Sequence, residues 1–162
     1  MPDGIRHEQL RKQGRFIAFP LSILLPPIIP NTWGLQESFL FGAGVFCGYE
    51  MGTYVTPDWD IMGTTKDEGR MVNELPILGH ILFGISSMYG SIFRKHHRSF
   101  ITHFPFVSTS IRHLLLFWWI YWQSYLFNLR LALPFFLGVF VGNSMADAIH
   151  WWADMVKYPK SE

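Results

Sequence analysis

Asn143-Ser144-Met145-Ala146-Asp147-Ala148-Ile149-His150-Trp151-Trp152-Ala153-Asp154-Met155 is the stretch on which the reading of this chain turns. Asp147, His150 and Asp154 stand at i, i+3 and i+7. On a helix of about 3.6 residues per turn they share one face. Ala148, Ile149, Trp151, Trp152 and Ala153, which lie between them, are apolar. The segment therefore reads as an apolar helix with one stripe of two carboxylates and an imidazole. A buried carboxylate without a partner is costly. A bound cation or mutual hydrogen bonds would account for the stripe; so would a solvated helix end with incidental charge.

Composition sets the environment. The 162 residues read as a single domain spanning 1–162. The net charge of +1 gives no reason to expect a nucleic-acid partner. Only 15% of residues are charged and 49% are apolar, against about 25% charged in a typical soluble domain. That balance predicts a membrane-embedded or membrane-attached, all-α protein with membrane lipid as its partner. Cys47 is the one cysteine, which excludes an internal disulfide and a thiolate zinc site. It reads as a small buried thiol. Any metal must be held by His and carboxylates.

Five apolar runs follow a basic start. Residues 16–36 carry no charge, although Pro20, Pro26, Pro27 and Pro30 interrupt them. The length suits a crossing, and proline is tolerated better in membrane helices than in soluble ones. No small-x-small cleavage site follows, so a signal peptide is not expected. Residues 38–56 hold Gly42, Gly44, Gly48 and Gly52, which permit close helix approach. Pro57-Asp58-Trp59-Asp60 closes that run, and residues 63–74 read as a polar loop. The third run, 75–93, places His80, Gly84, Ser87, Ser91 and Arg94 on one helical face, as in an amphipathic helix. Residues 111–127 are rich in Trp and Tyr, and the fifth run enters the opening helix through Gly138 and Gly142.

Topology can be tested by asking where the candidate ligands fall. If all five runs cross, His7, Asp58 and Asp60 lie opposite His97, His103 and the 147–154 stripe, and the basic residues divide almost evenly. If the third run does not cross, all of these candidates share one side. Of the 13 Lys and Arg, only Arg130 then falls on the other. Positive charge marks the cytoplasmic side. A model that also drops the first run strands His7. The sequence thus predicts a helical membrane bundle of about four crossings plus one amphipathic or re-entrant helix, its site facing the cytoplasm.

His and Asp ligands without thiolate suit Zn²⁺, Mn²⁺ or Fe²⁺. The candidates are His7, Asp60, His97, His103, Asp147, His150 and Asp154, more than one ion needs. Either two ions share the site or some candidates orient the ligands. Asp60 could hold the metal while Asp58 orients a histidine, or the reverse. Asp58, Asp60 or Asp147 could serve as general base. Arg98 could hold an anionic substrate group or form a salt bridge or lipid contact. Thr102 caps the next turn or bonds a ligand. His80 and His113, in apolar surroundings, read as satisfied core histidines, and His96 as exposed. Tetrapyrrole binding through His80, His113 or His150 is a minor alternative.

Taken in order, Gly4 with His7, Pro57-Asp58-x-Asp60, His97-Arg98 with Thr102-His103, and Gly142 with His150 and Asp154 resemble the predicted membrane-bound metal-dependent hydrolases. They are more similar still to a related family of small metal-binding membrane proteins. The resemblance runs from residue 4 to residue 155. It departs at Ser99, where glycine often follows His-Arg, in one extra residue between the two histidines, and at Phe104. It implies a helical membrane protein with one or two divalent ions. It also implies a hydrolase assignment. Arg98 and the membrane setting suggest a phosphoester, small-molecule or lipid-borne, as substrate, with Asp58 and Arg98 in catalytic roles. The alternative is a non-catalytic metal-binding integral membrane protein, its ion saturated by side chains.

Overall fold

The computed structural model describes residues 4–24, 34–52, 54–56, 58, 66–96, 99–126 and 132–157. Its elements in order are α1 (Gly4–Leu24), α2 (Leu35–Met51), α3 (Lys66–Glu74), α4 (Pro76–Phe93), a 3₁₀ turn (Arg94–His96), α5 (Phe100–His103), α6 (Pro105–Leu126) and α7 (Ala132–Lys157). Every regular element among the described residues is helical, without strand. The all-α expectation is met.

The most extensive contact in the molecule is between α2 and α7. Glycine makes it. A Cβ at Gly44 would collide with the Phe135 carbonyl, and one at Gly48 would stand 2.7 Å from the Val139 Cα. From the other side, Gly138 faces the Phe41 carbonyl and Gly142 the Val45 carbonyl. Backbone meets backbone, the approach that small residues allow between helices. Numbers rise together along the seam, so α2 and α7 run parallel. Gly52 continues the seam against Ala146.

Two helices flank this pair. α1 lies antiparallel to α2, with Phe19 edge-on to Phe46 and Arg15 ion-paired with Glu50 at 2.5 Å. Ala18, Tyr49 and Ala146 form the buried cluster between α1, α2 and α7. α6 lies antiparallel to α7: Phe104 meets Trp151 at one end, and His113 meets Phe140 further along. A second cluster of Val55, Met71, Leu82 and Tyr89 holds α3 and α4 beside the turn that follows α2.

Four local expectations change. α1 begins at Gly4, within the basic segment rather than at Phe16, and it carries Pro20 inside. Residues 66–74 are a helix rather than a loop, because Met71 is buried and Arg70 pairs with Glu74 one turn on. Cys47 is exposed, since the Gly44–Gly48 face of α2 takes the seam and turns its neighbour outward. α4 buries Gly79, Leu82, Ser86, Tyr89 and Gly90, a face set to one side of the His80–Arg94 stripe read from sequence. Gly79 is what lets it sit against the α3 backbone at Met71.

Outside this core the surface is apolar. Phe16, Leu35 and Ile77 are 83%, 90% and 81% exposed, and large apolar side chains also face outward on α6 and α7. Among the described residues, Pro76–Phe93 is the one helix long and apolar enough to cross a membrane by length and composition.

The seam gives a direct stability test. Gly48→Val drives a branched side chain into the α7 backbone and should cost at least ~3 kcal/mol. Gly84→Ala, with nothing within 4 Å, should stabilise by ~0.5–1 kcal/mol through helix propensity. Denaturant unfolding followed by circular dichroism in mild detergent measures both. Equal tolerance of the two would contradict the seam.

Candidate metal centre

The seam carries the chain past Gly52 into a short turn whose buried Val55 and Thr56 lie against α7. Asn143 Nδ2 donates to the Val55 carbonyl at 3.4 Å and tethers that turn. Two residues on, Asp58 arrives beside His150. Its Oδ1 lies 3.5 Å from His150 Nε2, and Asp154 Oδ2 lies 3.4 Å from the same nitrogen. His150 and Asp154 share a helix face one turn apart, whereas Asp58 comes from the other end of the seam. All three are largely covered, with side-chain exposures of 15%, 19% and 29% for His150, Asp154 and Asp58.

The group lies beyond the C-terminal end of α2, level with the turn and outside the apolar stretches. Burial alone would disfavour a charge on His150. Hydrogen bonding and charge from Asp154 and Asp58 outweigh it and push the imidazole up to about 10. Two carboxylates thus face one imidazole nitrogen.

Asp147 lies on the same helix but has different partners. Thr109 Oγ1 and Arg112 Nη2 both donate to its Oδ2, and Arg112 and Asp147 are 0% and 1% exposed. The helical stripe read from sequence therefore divides. His150 and Asp154 face the Asp58 turn, while Asp147 faces α6 in a buried ion pair. Arg112 Nε and Nη1, Ser108 Oγ and Ser144 Oγ have no hydrogen-bond partner among the described residues, so this layer of the α6–α7 interface keeps polar capacity inside an apolar bundle. Sequence reasoning passed over Arg112. The available signal was that Arg112 and Asp147 are opposite charges within two apolar runs, and intramembrane charges pair.

The other candidates are partly placed. Asp60, His97 and Arg98 lie outside the described residues, as do the side chains of His7, His96 and His103. The backbone of His7 is in α1 and that of His103 is in α5. Phe104, next to His103, packs edge-on against Trp151, next to His150, at 6.1 Å. Thr102 is fully buried, with Ser99 Oγ 3.5 Å from its hydroxyl. His80 is exposed, its Nδ1 against the Pro76 carbonyl of its own helix, because the buried face of α4 is rotated away from it. His113 packs against Phe140 and hydrogen-bonds with Asn143, as a core histidine should.

Among the described residues, no group of three or more His, Cys, Asp or Glu forms a ready metal cage. The three side chains meet through a single nitrogen rather than around an open centre. No family model, curated protein or solved structure matches the chain.

Two outcomes follow. Arg112→Leu leaves Asp147 buried and unpaired and should destabilise by ~3–5 kcal/mol, whereas Arg112→Leu with Asp147→Leu should recover most of that loss; unfolding of both variants measures it. The His150 pKa is raised in the folded state, so its stabilisation is complete below the ordinary value of 6.5 and lost as pH rises through about 10. Stability of wild type minus that of Asp154→Asn, measured across that range, should shrink with rising pH.

Proposed function

We propose that this chain is a helical membrane protein that binds a divalent cation at its cytoplasmic face and acts there as a hydrolase on a phosphoester. The observation that carries the reading is the meeting of Asp58 with His150 and Asp154. Residues 92 positions apart in the chain (150 − 58) bring two carboxylates to one imidazole.

The spacing of these groups fits a metal. Well-formed charge-assisted hydrogen bonds run to about 2.9 Å. Donor atoms around a tetrahedral Zn²⁺ at about 2.1 Å stand about 3.4 Å apart, close to the 3.5 and 3.4 Å separations here. His150 and Asp154 would hold the ion, with Asp58 beside it. His7, Asp60, His97 and His103 are the proposed remaining ligands, and Phe104 on Trp151 supports the approach of the His103 segment. A bound ion would supply Lewis acidity at a phosphoryl or acyl ester. Asp58, the most exposed of the three, is the residue suited to accept a proton from water. Arg98 is proposed to bind the anionic group. The resemblance to the metal-dependent hydrolases rests on motif order and remains part of this proposal.

Helix directions support the membrane topology. If α2 and α7 both cross, their parallel packing requires that one, and only one, of α4 and α6 crosses between them. α6 runs antiparallel along α7 from Phe104 to His113, so α6 fills that role. α4 then stays on the starting side despite its apolar composition. The outward Phe, Leu and Ile side chains of α1, α2, α4, α6 and α7 are surface that lipid would cover; soluble monomers rarely expose patches of that kind.

The covering of Asp58, His150 and Asp154 favours one second reading, a saturated, non-catalytic metal site. Elemental analysis and calorimetry with Zn²⁺ and Mn²⁺ on detergent-purified protein test binding. One or two ions per chain are expected, with a loss of at least about 100-fold in affinity for His150→Ala and weaker binding at low pH, since an imidazole must give up its proton to ligate. No bound ion would end the proposal. If ions bind, turnover of a phosphoester panel separates hydrolase from saturated site, with Asp58→Asn expected to lower turnover more than binding.

A further inference from the structure

We infer that α4 lies in the plane of the cytoplasmic leaflet, with one face among the lipid chains and its C-terminal end on anionic headgroups. The inference rests on the membrane reading above and not on metal or catalysis. By length and composition α4 could cross a bilayer. Its packing and the order of its exposed side chains point to the interface instead.

At about 100° per residue, the side chains of α4 fall into three sectors that run its length. Gly79, Leu82, Ser86, Tyr89 and Gly90 form the buried sector. Ile77, Ile81, Met88 and Ile92 form an exposed apolar row. His80, Gly84, Ser87, Ser91 and Arg94 form an exposed row of polar and small residues. The buried sector meets α3 and the cluster around Val55, and α4 lies lengthwise along none of α1, α2, α6 and α7. A crossing α4 would draw the row from His80 to Arg94 through hydrocarbon, about 21 Å at 1.5 Å per residue. In the plane of the interface the apolar row meets lipid chains while the polar row stays among water and headgroups. Charge identifies the headgroup. From Leu75 to Ala146 the chain has no Asp or Glu. α4 thus runs out into Arg94 and Lys95, both exposed, and neither side chain has a partner among the described residues. Arg70, ahead of the other end of the helix, is already paired with Glu74. The uncompensated positive charge is therefore at the C-terminal end, beside Ile92.

Fluorescence quenching of the full chain in nanodiscs, made of equal parts phosphatidylglycerol and phosphatidylcholine, tests this. A bimane label is carried on single cysteines in a Cys47→Ser background. Ile77→Cys, Ile81→Cys, Met88→Cys and Ile92→Cys sample the apolar row, and Ser87→Cys and Ser91→Cys the polar row. Phe39→Cys on α2 reports insertion of the bundle. All of these positions are exposed. The quenchers are phospholipids brominated on the chain near the headgroup or near the chain end, and aqueous iodide. Bromine near the headgroup should quench the four apolar positions to the same extent, bromine near the chain end should quench them little, and iodide should reach the two serine positions. At Ile92→Cys, brominated phosphatidylglycerol should quench more than brominated phosphatidylcholine, since two basic contacts enrich anionic lipid by up to ~30-fold. Arg94→Gln with Lys95→Gln should remove that preference. Circular dichroism confirms that each variant is folded.

Chain-end quenching that peaks at Ile81 or Met88 makes α4 re-entrant or crossing and overturns the in-plane placement. Apolar positions reached by iodide alone, or by no quencher as under a second copy, overturn the lipid contact. Equal quenching by the two headgroups, or a preference that survives Arg94→Gln with Lys95→Gln, overturns the anionic contact. Quenching of Phe39→Cys by chain-end bromine leaves the membrane bundle standing in each of these cases, and its absence ends the bundle whatever α4 shows.

Discussion

Backbone contact between α2 and α7 is the constraint from which the arrangement follows. Gly44 and Gly48 on one helix, and Gly138 and Gly142 on the other, remove the side chains that would hold the axes apart. Without those four absences of Cβ, the helices could not share a seam from Phe41 to Ala146. The seam fixes their parallel direction and their register. It thereby delivers the turn after Gly52 to the level of Asn143, and Asp58 to the level of His150. A helix pair packed through leucines would sit further apart, and the carboxylate would not reach.

The polar groups brought inside form two layers with different electrostatic solutions. In the first, Arg112 and Asp147 neutralise each other directly, supported by Thr109. Such a pair does not add much stability against an apolar alternative, but it is costly to break from one side. It locks α6 to α7 in a single register. In the second layer, two carboxylates face one imidazole. A proton on His150 balances one of the two negative charges, so the group as a whole retains a negative charge.

Packing and environment are coupled here. The buried core is small, confined to the glycine seam and two clusters, and the outer faces of most helices are apolar. In water that distribution would favour association. In lipid it has no such cost, and close packing of small residues becomes the main source of helix association.

What the sequence determined by itself was the class and the periodic features. Low charge and long apolar runs required helices, because backbone polar groups in such runs must be satisfied within the segment. The glycines announced close approach, and the spacing of His150 and Asp154 put them on one face. Asp58 was legible as a candidate from Pro57-Asp58-x-Asp60. The sequence could not divide the 147–154 stripe. Asp147 and His150 are less than a turn apart, and only the positions of α6 and the Asp58 turn around α7 decided which partner each received. Arg112 escaped for the same reason, since its partner is 35 residues away and pairing across helices leaves no local period. The outward turn of Cys47 and the narrow buried face of α4 were likewise set by neighbours. Local pattern fixes which residues share a helix face; tertiary packing fixes what that face meets.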